Sequence, residues 1–168
     1  MVKTLSIAVL LAFSALPACP AVEQSDSVIQ ELNAYWDELS RSVTKGDMDG
    51  LMSLYHPDAI AREWEGDSYT VRLASSLPDG EVEFHKGTKE GLRAITLDWR
   101  FSTRIHDGRV AHEVGIGRFQ ETPGGGQTTT SFAHVEQYLV KKDRWLTTLE
   151  SVRWNATEAE WNALPNRR

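Results

Sequence analysis

Three side chains of this 168-residue sequence have the types and spacing for proton transfer: His112, His134 and Glu136. His134 and Glu136 stand two apart in an alternating run, Phe132 to Val140, so in a strand both point to the same side. His112 sits in another alternating run, on the far side of His106-Asp107-Gly108-Arg109. A carboxylate beside imidazoles in an apolar pocket has the parts for general acid-base catalysis, because burial moves both kinds of pKa towards neutrality. The same three residues would also form a plain hydrogen-bonded cross-strand cluster. Two histidines and a glutamate are metal-binding types, but the spacing fixes no complete ligand set, so neither a metal nor another cofactor is expected. No Gly-x-Ser-x-Gly elbow is present, and Gly124-Gly125-Gly126 lacks the Lys-Ser/Thr of a phosphate loop.

The elements that must position these groups are two hairpins and a set of helices. Asp107-Gly108 between alternating runs signals a two-residue turn. Counting from it, His106 pairs with Arg109, Thr103 faces His112, Phe101 faces Val114 and Trp99 faces Ile116. His112 then shares an apolar face with Trp99 and Phe101, while Asp98, Arg100, Ser102, Arg104 and Glu113 form a solvated charged face. The second hairpin runs from Gln127 to Trp154 and turns at Lys142-Asp143, which sets His134 opposite Ser151 and leaves Glu150 on the other face with Val135. Val135, Leu139, Leu146 and Val152 make its outer face apolar, which points to a homodimer. Upstream, Val28, Leu32, Tyr35, Trp36, Leu39 and Val43 recur at helical spacing up to Lys45-Gly46, and Asp47 caps a short second helix. Ala59–Trp64 reads as the first strand, 66–80 as an inserted hairpin or lid, Glu81–His85 as a strand and Lys89–Ile95 as a helix. Thr157–Leu164 reads as a short capped helix whose Trp161 and Leu164 fold back on the sheet.

A long helix, then Gly46-Asp47, Leu51, Leu54-Tyr55 and Pro57-Asp58-Ala59, then strands, resembles the nuclear transport factor 2-like superfamily, with its ketosteroid isomerase-like and SnoaL-like domains. The stretch HVEQYLVKKDRWLTTLE, His134 to Glu150, is similar to that superfamily's penultimate strand, turn and last strand. The resemblance implies an α+β cone: a strongly curved, mostly antiparallel sheet packed on a long N-terminal helix and two shorter ones. It implies a pocket on the concave face, with Tyr35, Trp36 and Tyr55 arriving from the helices and Trp99, Phe101 and Phe132 from the strands. The isomerase mechanism would need an aspartate base and an oxyanion hole of Tyr with a protonated Asp. The late strands offer histidines and Glu136 and no matching Asp, so steroid isomerisation is not expected.

Residues 1–21 read as an export signal: Lys3, the apolar run Leu5 to Leu16, then Pro17-Ala18-Cys19-Pro20-Ala21. Cys19, the one cysteine, is either the acylated residue of a lipoprotein or part of an ordinary cleavage site. The location expected is periplasmic or extracellular, with a membrane contact only through a lipid at Cys19. Residues 22–27 form a polar leader and 28–168 a single domain. A net charge of -6 without a Lys/Arg cluster excludes a nucleic-acid partner. Six tryptophans supply core and pocket surface. The function expected is an exported pocket protein for a small apolar or aromatic molecule. The alternatives are an isomerase, dehydratase or cyclase-like lyase using His112, His134 and Glu136, or an assembly module without catalysis.

Overall fold

A computed structural model describes residues 26–166. The segment 1–21, with Cys19, and the leader up to residue 25 lie outside the described residues. The elements in order are α1 (Asp26–Lys45), α2 (Met48–Met52), β1 (Tyr55–Glu65), β2 (Ser68–Leu73), α3 (Asp79–Lys89), β3 (Arg93–His106), β4 (Val110–Pro123), β5 (Thr129–Lys141), β6 (Trp145–Arg153) and α4 (Glu158–Ala163). The six strands form one sheet in the order β2-β1-β6-β5-β4-β3. All neighbours are antiparallel except β1 and β6, so the α+β fold has a mixed, mostly antiparallel sheet.

Helix α1 supplies the core. Leu32, Tyr35, Trp36 and Leu39 recur at three- and four-residue spacing and are buried together with Phe101, Ala133, Val135 and Leu139 of the sheet. The Trp36 ring lies 4.5 Å from Trp99 and 5.1 Å from Phe101, centroid to centroid. The helix ends at Gly46, whose φ of 62° is the left-handed conformation that glycine adopts without penalty. A Cβ at Gly46 would stand 2.2 Å from the His85 carbonyl oxygen, so glycine also lets α3 approach the α1 terminus. Asp47 then caps α2 by accepting from Gly50 N at 2.9 Å.

Two buried polar anchors tie α1 to the sheet. The Trp36 indole N–H donates to Glu113, and Arg104 Nε donates to the other oxygen of that carboxylate. Arg104 Nη1 also donates to Asn33 Oδ1 at 2.7 Å, which returns the network to α1. The Tyr35 hydroxyl donates to Gln137 Oε1 at 2.9 Å and bonds Thr147 Oγ1. Glu113 is 1 % exposed, so the face expected to be solvated at that point lies in the core.

The reason is a β-bulge. Near the tip, His106 pairs with Ala111 and Thr103 with Val114, but past Ser102 the pairing becomes Phe101 with Gly115 and Trp99 with Gly117. The Asp107 carboxylate accepts from the backbone N–H of Arg109 and Val110 and holds a longer loop than the two-residue turn. That two-step change in register would have kept each residue on its expected face. The extra residue in β3 reverses the faces beyond it. Trp99 and Phe101 therefore share a side with Glu113, and His112 points to the opposite side.

Residues 79–89 are helical, correcting the strand expected at Glu81–His85, and the chain is already extended from Arg93, where a helix was expected. Asp79 and Glu81 in the first turn of α3 and Lys86 and Lys89 in the last complement its dipole. Phe84, His85 and Thr88 face inward, while Val82, which made the stretch look alternating, is 44 % exposed. Residues 68–73 form the hairpin partner of β1. Val135 and Leu139 are buried in the core and Val152 packs against it, so the apolar face assigned to a second copy is mostly the inside of this sheet. Helix α4, closed by a Thr157/Glu160 capping box, buries Trp161 at 6.1 Å from Phe132.

Removing one side of a buried ion pair leaves the other charge uncompensated, at a cost of about 3–5 kcal/mol. Arg104→Met should lower the unfolding free energy by that amount in urea melts, and Arg104→Met with Glu113→Gln should recover much of it. A loss near zero in the single variant would show that Glu113 is not held in the interior.

Candidate active site

Helices α1, α2 and α3 and the inner face of all six strands line an open cavity of about 510 Å³. Its walls are largely apolar: Leu39 and Val43 from α1, Leu97 and Trp99 from β3, Phe119 from β4, Val152 from β6. Gly117 makes room for one wall, because a Cβ there would stand 2.7 Å from the Trp99 ring. The volume falls in the range of ordinary small-molecule sites.

Of the three carboxyl groups in the lining, Glu63 and Glu81 are paired with Arg72 and Glu150 is not. Glu150 is partly buried and opens onto the cavity, at the end of a directed chain of hydrogen bonds. Tyr35 donates to Gln137 Oε1, which turns the Gln137 amide so that Nε2 donates to Glu150 Oε2 at 2.6 Å. The Tyr55 hydroxyl donates to the same oxygen at 2.7 Å. Both donors are neutral. Burial therefore dominates and raises the Glu150 pKa, against the smaller lowering by the Tyr55 and Gln137 hydrogen bonds. Burial and the neighbouring Glu150 charge push the Tyr55 hydroxyl well above its usual range. Since both donors go to Oε2, Oε1 is the oxygen left for a guest. A carboxyl in this state can donate a hydrogen bond, transfer a proton or, once ionised, pair with a cation.

At the α3 side of the cavity, Arg72 is shared between two carboxylates. Its Nη2 lies 2.5 Å from Glu63 and 3.0 Å from Glu81, and Nη1 donates to the carbonyls of Leu73, Ala74 and Ser76 at 3.3–3.4 Å. Burial raises the Glu81 pKa, opposed by the charge of Arg72. His85 is 4 % exposed, burial lowers its pKa, and its Nδ1 has no hydrogen-bond partner.

Of the residues expected from sequence, Tyr55 and Trp99 line this cavity, and Tyr35, Trp36 and Phe101 form the core beside it. His112, His134 and Glu136 lie on the other face of the sheet. There His112 and Glu136 do meet, with Nε2 3.0 Å from Oε1, and the imidazole stacks on Tyr138 at 4.3 Å. Arg62 and the Tyr138 hydroxyl also bond Glu136, at 3.3 and 3.2 Å. His134 stands apart and faces Glu160 of α4 at 3.5 Å, and Phe132 lies under the same helix. Among the described residues no group of three His, Cys, Asp or Glu side chains is arranged to hold a metal. Sequence reasoning missed Glu150, Arg72, Glu81 and His85 as site residues. For Glu150 the signal was present: it shares the Val135 and Val152 face of its strand, an apolar side on which a carboxylate needs a reason.

No family model matches the chain, and no curated protein matches it. Solved structures do. The chain is similar to a ketosteroid isomerase-like protein from Erwinia carotovora atroseptica, with 13% identity over 79% of this chain and 100% of that one and a TM-score of 0.55. A nuclear transport factor 2-like protein of unknown function from Silicibacter pomeroyi matches with 14% identity over 77% and 97% and a TM-score of 0.52. A conserved protein from Planctomyces limnophilus matches with 14% identity over 77% and 99% and a TM-score of 0.59. The chain has the nuclear transport factor 2-like, ketosteroid isomerase-like fold.

The raised Glu150 pKa has a consequence for stability. The folded protein keeps this proton to higher pH than the unfolded chain does, so stability falls as pH rises from the ordinary carboxyl range through the raised folded value. Glu150→Gln, which preserves an acceptor for Tyr55 and Gln137, should gain on the wild type across that window. Within it the gain should grow by about 1.4 kcal/mol as the pH climbs by one, and it should level off above it. Urea melts at a series of pH values measure the difference, and a pH-independent difference would show that Glu150 titrates normally.

Proposed function

We propose that the protein is an exported small-molecule-binding protein whose ligand, a neutral or cationic apolar or aromatic molecule, lies between Trp99, Phe119 and Trp154 and touches Glu150. The observation that carries this reading is the cavity itself: about 510 Å³ of mostly apolar space with a single carboxyl held by neutral donors in its wall. A pocket of this volume, open to solvent on one side, is of the size that holds a small molecule. The sheet wraps this space as a cone, a shape supported by the contribution of every strand to the lining. Export rests on Lys3, the Leu5–Leu16 run and the small residues after it.

A second reading is favoured by Glu150 Oε1. A carboxyl with raised pKa and one oxygen open to the guest is equipped for general acid-base catalysis. An isomerase, dehydratase or cyclase-like lyase on this fold would work through Glu150 and Tyr55, with His112, His134 and Glu136 on the far side of the sheet.

The test of the first reading is calorimetric titration of the full chain with 2-naphthylmethanol, a neutral fused-ring alcohol. Binding is expected, and Val152→Trp, which fills the cavity, should weaken it at least about tenfold without lowering the melting temperature. Absence of binding to the wild type, or equal binding to the folded variant, would overturn the assignment.

A further inference from the structure

Resting on that binding reading, we propose that the cavity selects a protonated amine carried on an aromatic body, with the ammonium seated against Glu150 Oε1. Three features of the lining lead there. The first is the state of the one cation. Arg72 directs Nε and Nη2 at Glu63, Nη2 also at Glu81, and Nη1 at three backbone carbonyls, so it has no donor left for an anionic guest. The second is the excess of acid. Glu63, Glu81 and Glu150 line the same space as Arg72, and among the described residues no Lys or Arg side chain bonds Glu150. The third is the aromatic wall. Trp99, Phe119 and Trp154 stand around the space with Phe84 at its α3 side, and aromatic faces attract cations when water is excluded.

Glu150 then meets a positive charge that a neutral or anionic guest would not bring. Glu150 Oε2 is saturated by Tyr55 and Gln137, and Oε1 is the acceptor that remains. An ammonium ion brings three donors and the missing charge. A carboxylate guest would bring a second anion beside Glu150 with no free guanidinium or ammonium to meet it.

The test uses the full chain and three molecules of one shape: 2-naphthylmethylamine, 2-naphthylmethanol and 2-naphthoate. Calorimetry should show the amine binding at least about tenfold tighter than the alcohol, with naphthoate weakest. In Glu150→Gln the amine should lose its advantage over the alcohol. As a check on the wild type alone, titration at mildly acidic pH in two buffers of different ionisation enthalpy should show proton release with the amine and none with the alcohol. This holds because a bound cation favours ionised Glu150. Equal affinity for amine and alcohol, an amine preference that survives in Glu150→Gln, or amine binding without proton release would each overturn amine selection. Alcohol binding in the same experiment would leave the cavity reading standing; failure of all three molecules to bind would defeat both.

Discussion

The structure depends on the need to satisfy two polar tips that one helix buries side by side. Tyr35 and Trp36 are adjacent in α1, and both are at most 5 % exposed. An unmet hydroxyl or indole N–H in such a place costs about 1–3 kcal/mol. Trp36 is met by Glu113, and the buried charge of Glu113 is met by Arg104. Tyr35 is met by Gln137, and the amide so oriented can only offer its N–H side to Glu150. The packing of α1 and the polarity of the cavity are therefore parts of one network. A change at Tyr35 should be felt at Glu150, two hydrogen bonds away.

The magnitudes separate the two acid clusters of the molecule. His112 and Glu136 are about 30 % exposed and share their carboxylate with Arg62 and Tyr138 on an open sheet face. Such a pair is worth about 0–1 kcal/mol and has water as its competitor. Glu150 makes no ion pair among the described residues and burial outweighs the charge of Arg72, so its protonation state responds to whatever enters the cavity. The residue types that looked most catalytic in the sequence are at the solvated face, and the chemically poised carboxyl is inside.

Much of the fold was legible in residue types. The spacing from Val28 to Val43, Gly46, the Asp47 cap, the two hairpins and the Thr157 helix all follow from local chemistry that acts within a few residues. The site was less legible because it depends on parity. In the β5–β6 hairpin the turn is one residue longer than counted and a bulge between Tyr138 and Leu139 adds another, so the errors cancel and Glu150 stays on the side of Val135. In the β3–β4 hairpin the loop shifts by two and the bulge at Ser102 by one, so they do not cancel. His112 is sent outward and Glu113 inward as a result. Nothing local in Phe101-Ser102-Thr103 announces that bulge; it lets Trp99 and Phe101 meet Trp36 while Arg104 reaches Glu113.

The central claim is that the functional face of the sheet is the one carrying Glu150 and not the one carrying Glu136. Side-chain carboxyl ¹³C shifts of both residues, followed by NMR during addition of a neutral fused-ring molecule, address it directly. The structure predicts a large shift at Glu150 with Glu136 unmoved. A shift at Glu136 with Glu150 silent would place the site on the opposite face and contradict the account.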